Sequence, residues 1–318
     1  MIDMISSFGP PRFVGWTAAI LLASATTAFA DCGDLLQRFN QALEQRSLAE
    51  VTALEKQIAA DAACGNRLVE VRQRRATLQL LLAQQLVDKG AKIPDYEGLV
   101  VDADKPEVSW LAAKMLGDMH FAQRAFVDAA RAYDRAVEII KNASKTPSAP
   151  TEEQIKAVTD LANRSRLLAA NEESPGAIFV SPPKDYRDGS IGGSFSQDIR
   201  GFTPKNVPLP INFETASARL TRIGQAAADE LATALREQNP QRITIVGHTD
   251  ERGSHDYNMR LSSQRAAAVA NFLRQKGIAA PVVTIAKGKT EPLFLADRSG
   301  LTKQDIWALN RRVEWQRN

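Results

Sequence analysis

Gly247-His-Thr-Asp-Glu-Arg-Gly-Ser-His-Asp-Tyr-Asn-Met-Arg-Leu-Ser-Ser-Gln-Arg265 is the stretch whose reading decides how the last third of this chain folds. Just before it, Gln241 to Val246 alternates β-branched and polar residues, the period-two pattern of a strand. From Leu261 onward apolar residues recur at helical spacing until Gly277, a glycine stop. A strand, a polar loop and a helix therefore follow one another. Asp250 falls at the strand's C-terminal end and Arg265 in the helix's first turns, which places a carboxylate and a guanidinium across one pocket. Such a pocket suits a zwitterion.

Elements on either side extend this unit. Val207 to Phe213 reads as a strand, and Leu220, Ile223, Ala227, Leu231 and Leu235 give one apolar face of a helix that ends near Asn239-Pro240. Val282 to Ile285 reads as a third strand and Arg312 to Trp315 as a fourth, with a polar loop and a short helix between them. The order βαβαββ predicts a two-layer sandwich with helices on one sheet face.

The pattern Gly-His-Thr-Asp-Glu-Arg-Gly, followed by Tyr257-Asn258, Leu261-Ser262, Arg265-Ala266 and Asn310-Arg311-Arg312-Val313-Glu314, resembles the OmpA-like C-terminal domain of the outer-membrane protein A and peptidoglycan-associated lipoprotein family. The resemblance covers residues 208–318. It implies non-covalent binding of peptidoglycan through the diaminopimelate of the stem peptide. Asp250 then accepts hydrogen bonds from the ligand ammonium, and Arg265 offers a planar fork to its carboxylate. Thr249 precedes Asp250 at the strand end, where ligand crevices open in α/β units. Asn258 either caps the helix or holds ligand. By the same resemblance Arg311 or Arg312 completes the carboxylate side, unless both form structural ion pairs. Gly247 and Gly253 read as backbone punctuation.

The remaining two-thirds read differently. At 318 residues the chain is long enough for two folding units. Within residues 31–171 nearly every segment reads as helix: Leu35, Leu36, Phe39 and Leu43 mark one, and Ser47-Leu-Ala-Glu50 reads as a capping box opening the next. Leu68 to Leu86 gives a third, stopped by Gly90, and Ala91 to Glu107 reads as a polar connection. Between residues 108 and 141, Ala113, Leu116, Gly117, Ala129, Tyr133 and Ala136 fall at the offsets of a tetratricopeptide repeat, whose small residues let antiparallel helices approach closely. Thr151-Glu-Glu-Gln154 caps a further helix. This region is expected to act as a helical scaffold or spacer. The competing reading makes it the main functional part, an adaptor that binds a periplasmic protein while the OmpA-like domain only localises it. Residues 172–207, rich in Gly, Ser and Pro, read as a linker that lets the two units move independently.

Composition narrows the function classes. Acids and bases are interspersed and the net charge is +3, so no basic face points to nucleic acid. His248 stands beside Asp250, yet no Ser or Cys nucleophile motif accompanies it, and catalysis is not expected. No CxxC or Cys/His cluster supports a metal or cofactor.

At the N-terminus, Arg12 precedes an uncharged run from Phe13 to Ala30 that closes on Ala28-Phe29-Ala30, a small-x-small cleavage pattern. Residues 1–30 are therefore expected to be a cleaved signal peptide, with a retained membrane anchor as the alternative. The mature chain would be periplasmic and wall-associated, with association to the outer membrane left open. Export agrees with two cysteines, because the two short helices, each rising about 1.5 Å per residue, bring Cys64 back beside Cys32. Mass spectrometry of periplasmic protein should find a mature end near Asp31 and no alkylatable thiol before reduction. Intact residues ahead of Ala30, or two free thiols, would contradict this.

Overall fold

A computed structural model describes residues 31–171, 192–295 and 297–317. The expected signal peptide and residues 172–191 of the expected linker lie outside the described residues.

Helices α1 (Cys32–Glu44) and α2 (Leu48–Ala60) form a hairpin closed on Leu35, Phe39, Val51, Leu54 and Ile58. The Cys32–Cys64 disulfide ties its open end, with Cα atoms 5.5 Å apart. The capping box expected at Ser47 does not form, since no side chain caps α2 there. α3 (Leu68–Asp88) follows and stops at Gly90, whose φ of 82° is the left-handed turn that glycine adopts without strain. The expected polar connection after it contains a helix instead, α4 (Ile93–Asp104). Pro94 fits its first turn, the Asp95 side chain accepts from the Lys92 backbone N–H, and Val100 and Ala103 are buried. Dispersed charges hid a short apolar face.

α5 (Trp110–Ala122), α6 (Phe126–Lys141) and α7 (Glu152–Asn171) pack in sequence. A methyl on Gly117 would sit 2.6 Å from the Tyr133 ring, so the small residue is what lets α5 and α6 approach. Thr151 and Gln154 form the expected cap of α7, at 2.9 and 3.3 Å.

The C-terminal part runs β1 (Asn206–Leu209), α8 (Arg222–Gln238), β2 (Ile243–His248), α9 (His255–Gln275), β3 (Val282–Gly288), α10 (Lys303–Asn310) and β4 (Val313–Gln316). Strand order is β1-β4-β2-β3, with β2 and β3 parallel and the other pairs antiparallel. Ile243, Ile245, Val313 and Trp315 pack against Ala228, Leu231, Ala266 and Val269 of α8 and α9, the two-layer arrangement that the apolar periods predicted. Alternation sends Glu314 and Arg312 to the opposite face, where they pair at 2.7 Å.

The two parts share a core. Phe121, Phe126, Ile155, Val158 and Leu168 of the helical part form one cluster with Ile199, Ala308 and Leu309. Residues 192–205 are strapped across the junction: Glu138 accepts from Gly193 N–H, Lys141 donates to Ser196 Oγ, and Arg317 donates to the carbonyls of Phe195 and Ser196. Where the sequence reading expected independent motion, an apolar seam of this kind holds the two parts in contact.

The seam carries one ion pair with a pH signature. Arg124, between α5 and α6, donates to both oxygens of Asp305 at 2.9 and 3.0 Å. Those bonds, more than offsetting burial, hold the Asp305 carboxyl down at about 2, with the Thr302 cap contributing. Because the folded value lies below the ordinary carboxylate range, the stabilisation is complete above about pH 4 and disappears as pH falls through about 2. Arg124→Ala should therefore lower the melting temperature at neutral pH, and the gap from the wild type should close on acidification towards pH ~2. Thermal melts across that range check it; a gap independent of pH would place the effect elsewhere.

Candidate functional site

β2 ends in a slip of register between Gly247 and His248, which pairs His248 with Gly288 of β3 and lets Thr249 N–H reach the Gly288 carbonyl at 2.8 Å. The irregularity turns the chain out of the sheet, and Asp250 is the residue it delivers. Asp250 is only 6% exposed. Oδ1 accepts from the backbone N–H and Nε of Arg252, both at 3.1 Å, while Oδ2 accepts from Arg252 Nη2 at 2.6 Å and Arg311 Nη1 at 3.1 Å. Burial pushes this carboxyl up, but hydrogen bonds from Arg252 and then Arg311 outweigh it and hold it below the ordinary range. Asp250 is thus a buried, ionised acceptor ringed by guanidinium groups.

α9 begins at His255, six residues ahead of the expected start, because Ser254 caps it by accepting from Tyr257 N–H at 3.2 Å. Two readings change in consequence. Asn258 is not the cap; it is 2% exposed and donates its amide to the Arg252 carbonyl at 2.8 Å, fastening the loop that carries Asp250. Arg265 does not lie in the first turns but ten residues along α9, about 15 Å from its start, so the helix N-terminus adds little field there.

Arg265 is 5% exposed, donates Nε–H to the Ser217 carbonyl at 3.0 Å and lies 5.0 Å from the centre of the Phe213 ring. Burial, followed by the repulsion of Arg311, pushes its pKa down to about 10. It stays cationic at neutral pH, yet its contacts are a carbonyl and a ring. Asp250 and Arg265 consequently do not pair with each other. Arg311 stands in relation to both, bonding the carboxylate and repelling the buried guanidinium.

The structure separates the two C-terminal arginines. Arg311, at the end of α10, reaches Asp250 with one nitrogen and Asn171 Oδ1 of α7 with the other, at 3.2 Å. Arg312 lies with Glu314 on the sheet face away from the helices, pairing with it at 2.7 Å and donating to the Glu291 carbonyl. His248 is buried with Nε2 3.7 Å from Glu314 Oε2, while His255 is exposed at the start of α9. Thr249 is 4% exposed, and its hydroxyl has no hydrogen-bond partner among the described residues. Among the described residues no group of three or more His, Cys, Asp or Glu is placed to hold a metal.

Arg252 carries no expectation from the sequence, though it is the nearest partner of Asp250. Its guanidinium stacks 4.3 Å from the Trp307 ring, and Trp307 donates to Glu251 Oε1 at 3.0 Å. A carboxylate two residues before an arginine in a tight loop was the available signal.

The OmpA family pattern matches residues 212–302, which include Thr249, Asp250, Asn258 and Arg265 and exclude Arg311. The peptidoglycan-associated lipoprotein of Pseudomonas aeruginosa is 33% identical over 149 residues, 46% of this chain and 82% of that protein. That of Mesorhizobium japonicum is 35% identical over 111 residues, 34% of this chain and 62% of the relative. Among solved structures, the peptidoglycan-associated lipoprotein from Burkholderia pseudomallei is 31% identical over 33% of this chain and 86% of its own, with a TM-score of 0.29.

A buried cation without a carboxylate partner is costly to fold around. Arg265→Met retains most of the side-chain volume and removes that charge, so thermal melting should match or exceed the wild type. A loss of more than about 2 kcal/mol in denaturant unfolding would make Arg265 a structural residue instead.

Proposed function

The chain belongs to the OmpA family, and from that premise we infer that it is an exported envelope protein that binds peptidoglycan non-covalently through the diaminopimelate of the stem peptide. The observation that carries this reading is the separation of charges at the end of β2. Asp250 is buried and kept ionised, Arg265 is buried and cationic, and the two do not neutralise each other. A ligand with an ammonium at one end and a carboxylate at the other supplies the anion that Arg265 lacks and a cation that can take a place among the donors on Asp250.

Each half has a physical rationale. The ligand ammonium exchanges with Arg252, the more exposed of the two arginines on Asp250 and so the one that water re-solvates most readily on release. The ligand carboxylate compensates Arg265 and weakens the repulsion between Arg265 and Arg311. Thr249 supplies a buried hydroxyl, and Asn258 holds the loop in register. The helical part, carried on the same core, serves as the scaffold that presents this site. The expected signal peptide would deliver the chain to the periplasm.

Removing Asp250 or Arg265 leaves one end of the zwitterion facing a desolvated site without its partner. Asp250→Ala and Arg265→Ala should each cost roughly 2–5 kcal/mol of affinity for isolated peptidoglycan. The double variant should lose much less than the sum, since both side chains serve one ligand. Wall with lysine in place of diaminopimelate lacks the carboxylate and should bind weakly to the wild type. Co-sedimentation with both wall types reads these outcomes. Equal retention on the two walls, or full retention by folded Arg265→Ala, would remove diaminopimelate recognition as the explanation.

A further inference from the structure

Beside Arg311 lies a cleft for which diaminopimelate alone has no use. It has a volume of about 340 Å3 and lies between the end of α7 and α10, lined by Leu168 and Asn171 on one side, Gln304, Ala308 and Arg311 on the other, and Arg124. Leu168 and Ala308 are its apolar lining, and Thr302 and Asp305 at the start of α10 complete it, so that six of its eight lining residues carry hydrogen-bonding groups.

Charge in the cleft is unbalanced. Its carboxylate, Asp305, is occupied on both oxygens by Arg124 and also serves the Thr302 cap of α10. Arg311 shares Asp250 with Arg252 and otherwise contacts a neutral amide oxygen, Asn171 Oδ1, at 3.2 Å. A carboxylate is a better acceptor for that guanidinium than an amide, because charge-assisted hydrogen bonds are roughly twice as strong as neutral ones. Arg311 also joins the cleft to Asp250, so one ligand can reach both.

We propose that this cleft is a second peptide subsite, taking the carboxylate-bearing residue next to diaminopimelate, and that the helical part therefore belongs to the wall-binding site. The proposal rests on the diaminopimelate reading of Asp250 and Arg265. Size supports a short peptide segment: small-molecule sites run from about 300 to 1,000 Å3, and this cleft lies at the low end. Leu168, Asn171 and Arg124 all precede the OmpA-matched residues 212–302, so the specificity they add is carried by this chain's own helical part.

The test uses the full chain and two soluble probes, free diaminopimelate and a stem tripeptide ending in diaminopimelate, titrated by calorimetry. The wild type should bind the tripeptide about tenfold more tightly, the scale of one added hydrogen bond to a charged group. Gln304→Trp, at an exposed position of α10, fills the cleft and should bring the ratio of the two affinities close to one. Asn171→Leu, which removes the amide and narrows the same space, gives an independent route to that outcome if the first variant misfolds. A wild-type ratio near one, or an undiminished ratio in the folded variants, would overturn the subsite. Failure of the wild type to bind either probe would instead bring down the diaminopimelate reading beneath it.

Discussion

Burial of Ala308 and Leu309 against Ile155, Val158 and Leu168 fixes where the rest of the site stands. α10 is only eight residues long, too short to be stable alone, so its position is dictated by what covers its apolar side. Helices of the preceding part provide that cover. Once α10 is seated, Asp305 meets Arg124, Trp307 meets Arg252, and Arg311 is carried to Asp250. A change in the helical core thus acts on the Asp250 site through the placement of α10.

Electrostatics in the pocket follow from this placement. Three guanidinium groups, from Arg252, Arg265 and Arg311, surround one carboxylate, Asp250. Two of them bond it, and the third is left to a carbonyl and an aromatic face. Such an excess favours an incoming anion, while the single deep carboxylate gives an ammonium one place to go. Simple cations are opposed by the surrounding arginines, and simple anions gain nothing from Asp250. A ligand bearing both charges gains at both ends.

Much of the C-terminal architecture was legible because apolar period and secondary structure agree there: alternation in Gln241 to Val246, helical spacing from Leu261, and glycine at Gly277 with φ of 79°. The residues of the pocket were legible as a motif, but their partners were not. Pairing of Asp250 with Arg252 depends on how the loop folds back after the register slip, and pairing of Arg311 with Asn171 spans 140 positions. Spacing along a chain does not encode a contact of that range. The start of α9 was misplaced for a local reason: the apolar period begins at Leu261, whereas the helix begins at its cap, Ser254, and its first turn is polar because it faces solvent. α4 escaped for the mirror reason, since one short apolar face among charges resembles a loop.

Gly247 illustrates why a motif glycine need not mark a turn. A methyl there would sit 2.3 Å from the Ser262 carbonyl of α9, so the glycine sets the distance between the central strand and the helix. That close approach is reinforced by Ser262 Oγ, which accepts from Gly288 N–H at 3.0 Å, and Gly288 in turn accepts from Thr249 N–H. Three contacts thereby lock α9, β3 and the end of β2 at one point. Asp250 leaves the sheet just beyond that point, and Arg265 lies less than one turn along α9 from Ser262. The spacing between carboxylate and guanidinium, on which the proposed recognition of a two-ended ligand would depend, is therefore set by strand–helix packing rather than by the polar residues themselves. Any side chain larger than hydrogen at Gly247 would push α9 outward and widen that spacing without touching either charge.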